Sequence, residues 1–235
     1  MGAHQVVSRE KWIEARKAFL VKEKAFTRAR DALNAERRAL PWMAVDKPYV
    51  FDGPDGKQKL SDLFAARSQL IVYHFMFDPS WEAGCPHCSF WADGFDPIVV
   101  HLAQRDVTMV AISRAPYAKL AAYEKRMGWR FRWLSSSASD FNYDFSVAFT
   151  PSEVAAGSAE YNFTTQDPGD TEREGVSVFA RDEAGGVFRT YSAYARGIDM
   201  LNAAYHYLDL VPKGRDEGSA GQAWVRRHDE YATLP

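Results

Sequence analysis

Only two cysteines occur in 235 residues. That is too few for a disulfide scaffold, and a chain of this length can bury a core without one. No run approaches eighteen consecutive apolar residues, so no membrane span is expected. The charges nearly cancel, with 29 Lys and Arg against 31 Asp and Glu. No global field is left to hold a polyanion, which counts against a nucleic-acid partner. Internal repeats and low-complexity segments are absent too. The opening Met-Gly-Ala-His-Gln runs into charged sequence without the apolar core of a signal peptide, so a cytoplasmic location is expected. What is present looks globular: 46% hydrophobic and 26% charged residues can close a full core.

The first forty residues read as one helix, a separate N-terminal extension over 1–40. Ser8 is a good N-cap, and Trp12, Phe19, Phe26, Leu33 and Leu40 recur every seven residues as a narrow apolar seam. Pro41 ends it. Residues 8–38 carry ten Lys or Arg and five Asp or Glu, a local +5. Such a run fits a solvated face with i,i+4 ion pairs. The seam also suits packing on a second protomer, which makes a homodimer through this helix an expectation.

From 41 to 212 the pattern is that of a second domain, with a C-terminal tail over 213–235 expected to pack on it. Tyr49–Asp52 and Lys57–Leu60 flank a Gly53-Pro-Asp-Gly56 turn, a hairpin. Ser61–Phe64 reads as a short helix. Leu70–Phe77 is an almost continuous apolar run and Val107–Ser113 another, the signature of strands buried on both faces. Helical sequence runs from the cysteine motif to about Gln104, with Pro97 as a kink or break. A helix over Pro116–Met127 closes at Gly128, and Arg130–Ser135 is a third strand. Residues 136–175 read as a long surface loop with little regular structure. Val176–Phe179 and Val187–Ser192 form a second hairpin around Gly185-Gly186, and helix follows from about Gly197 to Leu208. Alternating strands and helices predict a layered α/β domain with chemistry at the carboxyl ends of its strands.

The two cysteines stand as Cys85-Pro86-His87-Cys88. Two cysteines placed at random would fall three apart only ~1% of the time, so the pairing asks for a cause. A free thiol with a pKa near 8.5 is only roughly 3% thiolate at pH 7, and unpaired N–H groups at a helix start lower that pKa. Cys85 is therefore the expected nucleophile and Cys88, one turn on, the resolving thiol. Pro86 sets a first helical turn and removes an orphan donor. His87 supplies a donor and, when protonated, a charge. Three other readings compete: a zinc site completed by histidines and carboxylates, a static disulfide, and two inert buried thiols. Trp81 stands on the loop before the nucleophile, and the Gly175-Val176 stretch is expected to face the cysteines, so these three are the expected substrate contacts. Asp93 and Glu82 are candidate proton carriers for Cys88, and His74, inside an apolar strand, reads as a satisfied core histidine.

The order Tyr49–Phe64, Gln69–Phe77, Cys-Pro-His-Cys, Val107–Ser113 resembles the thioredoxin-like fold in its peroxiredoxin-related layout. From Ser8-Arg-Glu-Lys-Trp12 through Gly84-Cys-Pro-His-Cys-Ser-Phe-Trp-Ala-Asp-Gly94 to Trp224-Val-Arg-Arg-His-Asp-Glu-Tyr231, the whole chain resembles the bacterial domain-of-unknown-function 899 family, regarded as predicted dithiol-disulfide oxidoreductases. The resemblance implies a central mixed sheet flanked by helices, a redox-active Cys85–Cys88 pair without other cofactor or metal, and a small-molecule or thiol/disulfide substrate. Two departures bear on activity. Peroxiredoxins carry a hydroxyl three residues before the reactive sulfur, where this chain has Glu82. Thioredoxins place a cis-proline before the strand facing the cysteines, where this chain has Glu174-Gly175. A dithiol-disulfide oxidoreductase is thus the leading expectation, with a redox-responsive binding protein without turnover, or a thiol-dependent peroxidase of non-standard type, as alternatives.

Overall fold

The structure, a computed structural model, describes residues 4–232 and divides into two units between Trp42 and Met43. The outermost residues of the expected extension and tail, 1–3 and 233–235, lie outside the described residues. In the first unit, Ser8 Oγ accepts from the Lys11 amide and opens helix α1, Arg9–Arg38, which ends before Pro41 with Arg37 and Arg38 in its last turn. Both caps suit the helix dipole. None of its residues is buried, and Trp12, Phe19, Phe26, Leu33 and Leu40 are all exposed.

The second unit starts with β1 (Met43–Ala44), the hairpin of β2 (Val50–Gly53) and β3 (Gly56–Lys59), and a 3₁₀ turn at Leu60–Phe64. Next come β4 (Gln69–His74), α2 (Pro86–Ala92), α3 (Asp96–Ala103), β5 (Val107–Ser113), α4 (Tyr117–Met127) and β6 (Trp133–Ser135). Gly128 closes α4 at φ +68°, a left-handed position that favours glycine. Two short helices, α5 (Phe141–Asp144) and α6 (Pro151–Ala156), and a small hairpin of β7 (Ala159–Tyr161) and β8 (Thr164–Gln166) precede the long strands β9 (Gly175–Arg181) and β10 (Val187–Tyr194). A 3₁₀ turn over Ala195–Leu201, α7 (Ala203–Leu208) and two further 3₁₀ turns complete it.

Eight strands form one mixed sheet in the order β1-β10-β9-β4-β5-β6-β2-β3. β4, β5 and β6 are parallel, and β9 and β10 continue the sheet antiparallel on the other side of β4. This is the thioredoxin-like arrangement: a βαβ unit joined edge to edge with a β-hairpin. β4 lies between β5 and β9, so its two faces serve two cores. Leu70 and Val72 pack with Val110, Ile112, Phe141 and Phe179, while Tyr73 packs with Trp91, Phe95, Trp133 and both cysteines. That double burial explains the continuous apolar run.

Several expectations are corrected in detail. β4 stops at His74, because the Phe75 and Phe77 main chains turn to the β5 side, Phe75 N donating to Ile112 O and Phe77 O accepting from Ala115 N. The helix after the cysteines is two helices, separated at Asp93-Gly94-Phe95 with Pro97 in the first turn of α3. The helix expected from Gly197 is likewise interrupted at Asn202, whose side chain caps α7. Residues 136–175 are ordered rather than a long loop. Phe141, fully buried and edge-on to Tyr49 and Phe51 at 5.0 and 4.9 Å, pins this segment to the sheet. Truncating such a side chain costs about 3–5 kcal/mol. The Thr150-x-x-Glu153 capping box was a legible signal for α6.

Candidate active site

The cysteines stand where β4 delivers them. After Phe77 the chain loops back, and Cys85 N donates to Met76 O at 3.1 Å, so the motif begins against the end of the strand. Gly84 permits this approach: a Cβ there would come within 2.7 Å of the Phe75 ring. Cys85 is the N-cap residue of α2, Pro86 its first residue, and Ser89 Oγ donates to Cys85 O. From the tail, Arg227 donates to Gly84 O from Nε (3.1 Å) and Nη2 (2.8 Å) and to Tyr123 Oη (2.9 Å).

Both thiols are free and buried, with 7% exposure at Cys85 and 2% at Cys88. Their acidities diverge. Cys85 is held well below the ordinary thiol range, first by the hydrogen bond that the Cys88 thiol gives it, against the opposing effect of burial, and then by His87. Cys88 is pushed well above that range by burial and by the neighbouring Cys85, although the Met76 amide donates to its sulfur at 3.4 Å. The helix start and His87 are the donors legible in the sequence, and the leading one in the structure is the Cys88 thiol.

His87 is half-buried, with Nδ1 4.0 Å from Cys85 Sγ and Nε2 3.3 Å from the Gln222 carbonyl. A carbonyl only accepts, so Nε2 carries a hydrogen and Nδ1 is the atom that gains or loses the proton facing the sulfur. The Cys85 interaction raises the His87 pKa. Imidazolium and thiolate stabilise each other.

A cleft of about 820 Å³ opens in front of the pair. Its apolar wall includes Tyr73, Met76, Trp91, Ile198 and Tyr205, and its charged wall includes Arg173, Glu174, Arg196, Asp199 and Arg215. Residues 195–224 close one side. Trp91 Nε1 donates to Ile198 O at 3.0 Å, Tyr205 Oη donates to Glu217 at 2.8 Å and accepts from Gln222 Nε2, and Arg215 lies 3.8 Å over the Tyr205 ring. Tyr73 is fully buried beneath Cys88, and burial first, then the neighbouring Cys88 sulfur, raises its pKa. Its hydroxyl makes no hydrogen bond of ordinary geometry.

Cys85, His87 and Cys88 line this cleft, and Pro86 opens their helix. The expected substrate contacts do not join them. Trp81 packs against the core beside the loop, its carbonyl held by Lys119 Nζ at 2.8 Å, and it does not border the cleft. Gly175 and Val176 are buried in β9, where a Cβ on Gly175 would meet the Tyr194 ring at 2.7 Å. The residues this stretch presents are Glu174 and Arg173, one and two positions earlier. Strand alternation and the β9 boundary, both matters of register, decide that difference.

Asp93 binds Trp129 Nε1 (2.8 Å) and His228 Nδ1 (2.6 Å), and Glu82 is exposed; neither borders the cleft. His74 is buried, bonded through Nε2 to Ser177 Oγ at 2.9 Å, and pushed down to about 3 by burial, so it stays neutral. Its Nδ1 has no partner. Among the described residues no three His, Cys, Asp or Glu side chains gather in a group that could hold a metal ion. Also among them, no peptide bond is cis and no helix is long and apolar enough to cross a membrane.

Solved structures similar to this chain include a peroxidoxin, a bacterioferritin comigratory protein and a peroxiredoxin. A peroxidoxin BcpB from Mycobacterium tuberculosis is 15% identical, with 70% of this chain and 94% of that chain covered at a TM-score of 0.45. The bacterioferritin comigratory protein of Xanthomonas campestris is 12% identical, covering 70% and 96% at 0.46, and the mitochondrial 2-cys peroxiredoxin of Plasmodium falciparum is 11% identical, covering 71% and 92% at 0.41. No curated protein matches the chain. The family described as "Bacterial protein of unknown function (DUF899)" matches residues 1–231, and the chain belongs to that family.

Proposed function

We propose that this protein is a cytoplasmic dithiol-disulfide oxidoreductase with Cys85 as nucleophile, Cys88 as resolving thiol, His87 as electrostatic partner and Pro86 as the residue that sets the helix start. The observation that carries the reading is geometric: two free, buried thiols one turn apart at the start of α2 line one cleft, with His87 Nδ1 4.0 Å from Cys85 Sγ, a setting that favours thiolate at Cys85 and keeps the proton on Cys88. The thiolate attacks and the protonated partner waits.

In the first step Cys85 Sγ⁻ attacks one sulfur of a substrate disulfide, forming a mixed disulfide while the substrate S–S bond breaks and its electron pair leaves on the second sulfur. Cys88 then loses its proton and attacks Cys85 Sγ, forming the Cys85–Cys88 bond and expelling the second substrate thiolate. The protein dithiol is oxidised by two electrons and the substrate disulfide is reduced to two thiols. The two protons, one from Cys88 and one shared by Cys85 and His87, end on those thiols. The direction in the cell depends on the potentials of the two couples.

Cys88→Ser should trap a mixed disulfide on Cys85 when the reduced protein meets bis(2-hydroxyethyl) disulfide, seen as a single mass increment. Cys85→Ser should trap none. An ordinary thiol pKa at Cys85 together with no trapped adduct would overturn the proposal.

A further inference from the structure

Five buried side-chain polar atoms among the described residues lack a hydrogen-bond partner, and two of them, Tyr73 Oη and Arg173 Nε, belong to residues lining the cleft before the cysteines. A buried donor without an acceptor carries a desolvation cost that a ligand can remove. The arginines of the cleft differ in this respect. Arg215 is neutralised by Asp199 (3.0 Å) and Asp209 (2.9 Å), and Arg196 reaches into solvent with a long contact to Asp199 (3.4 Å). Arg173 has no carboxylate at ion-pair distance among the described residues, and its guanidinium lies 5.8 Å from the Tyr161 ring centroid. A guanidinium without a carboxylate partner suits a carboxylate ligand, which it meets through charge-assisted hydrogen bonds.

Size and access select against a protein substrate. Cys85 is almost fully buried and borders the cleft, whose volume of about 820 Å³ is that of a small-molecule site. β9, the strand beside the cysteines, is paired along both edges from Gly175 onward, with β4 on one side and β10 on the other. A peptide cannot add there as a further strand.

We infer that the substrate of this site is a low-molecular-weight disulfide bearing a carboxylate, held by Arg173. The inference rests on the dithiol-disulfide reading above. Electrons and protons balance as given there, the leaving sulfur taking its final proton from those released by Cys88 and by the Cys85–His87 pair.

The test mixes reduced full-length protein with 3,3′-dithiodipropionate, bis(2-hydroxyethyl) disulfide and cystamine, each rate of dithiol oxidation being divided by that of the same reagent with free dithiothreitol. A parallel titration measures the Kd of 3,3′-thiodipropionate, an unreactive thioether. The dicarboxylate should lead the neutral reagent by about tenfold, the loss expected for one charge-assisted hydrogen bond, and cystamine should be slowest. Arg173→Gln should remove that lead and weaken thiodipropionate by a similar factor, while the neutral reagent stays within about twofold. The comparison on the unmodified protein stands even if the variant folds poorly. Equal normalised rates, equal slowing of all three reagents by Arg173→Gln, or faster oxidation by a folded protein's disulfide overturns the inference and leaves the redox reading intact. Conversely, Arg173-dependent thiodipropionate binding with no oxidation by any disulfide overturns the redox reading and the disulfide class with it, leaving only a carboxylate site.

Discussion

Replacing His87 with alanine should raise the pKa of Cys85 by about one to three units. The imidazole Nδ1 is 4.0 Å from the sulfur. Two unit charges about that far apart interact by about 1 kcal/mol in water and about 4 kcal/mol at an effective dielectric of 20, and half-buried His87 lies between those limits. At about 1.36 kcal/mol per pKa unit, this gives the stated range. Because each tenfold change in a two-electron thiol-disulfide equilibrium is about 30 mV, the same substitution should make the pair less oxidising by about 30 mV per unit at pH 7, so long as Cys85 remains ionised there. The assay is the pH dependence of Cys85 alkylation by iodoacetamide, followed by mass spectrometry so that Cys88 is counted separately. Cys88→Ala should shift the midpoint upward by more than His87→Ala does, since the Cys88 thiol is the leading stabiliser of the Cys85 anion. An unchanged midpoint in His87→Ala would refute the imidazolium–thiolate pairing, and a larger shift in that variant than in Cys88→Ala would refute the order of the two causes.

Other consequences follow from contacts away from the sulfurs. Glu172 accepts from Arg114 at 2.5 Å but is buried, and burial pushes its carboxyl up to about 8. Since the unfolded chain releases that proton near pH 4.3, this group's contribution to stability should fall as pH rises from about 4.3 to about 8 and level off above; Glu172→Gln should flatten the denaturation midpoint across that window, and an unchanged slope would contradict it. Arg227→Ala removes two hydrogen bonds to Gly84 O and one to Tyr123 Oη, so it should cost about 1–3 kcal/mol in urea denaturation and speed alkylation of Cys85; neither change appearing would sever the tail from the site. The exposed seam of α1 should hold two copies together: full-length protein should scatter light as a dimer, and a chain lacking residues 1–40 as a monomer, whereas equal oligomeric states would remove the seam as an interface.

Much of the site was legible because it is local. Cys85, Pro86, His87 and Cys88 are consecutive, so a strand-to-helix junction and one helical turn suffice to bring them together. The residues that complete the cleft are not local. Glu174, Arg196, Tyr205 and Gln222 meet the motif only after β9, β10 and the C-terminal segments fold back over it. No spacing rule links position 87 to position 222. Trp81 illustrates the converse: adjacency in sequence placed it near the nucleophile, and packing turned it toward the core.

The fold divides along the same line. Buried strands at 70–74 and 107–113, the capped helix α1 and the Gly128 stop follow from hydrophobic period, capping chemistry and left-handed backbone, each a property of a short window. The order of residues 136–175 does not, because its anchors Phe141 and Phe145 find their partners, Tyr49 and Phe179, far away in the chain. Acidity shows the division most sharply. The tetrad establishes that two thiols can form a redox pair, but only tertiary burial separates them, placing Cys88 wholly out of water so that its proton stays and stabilises the anion on Cys85. Desolvation depends on every atom that surrounds a sulfur, and those atoms come from all parts of the chain.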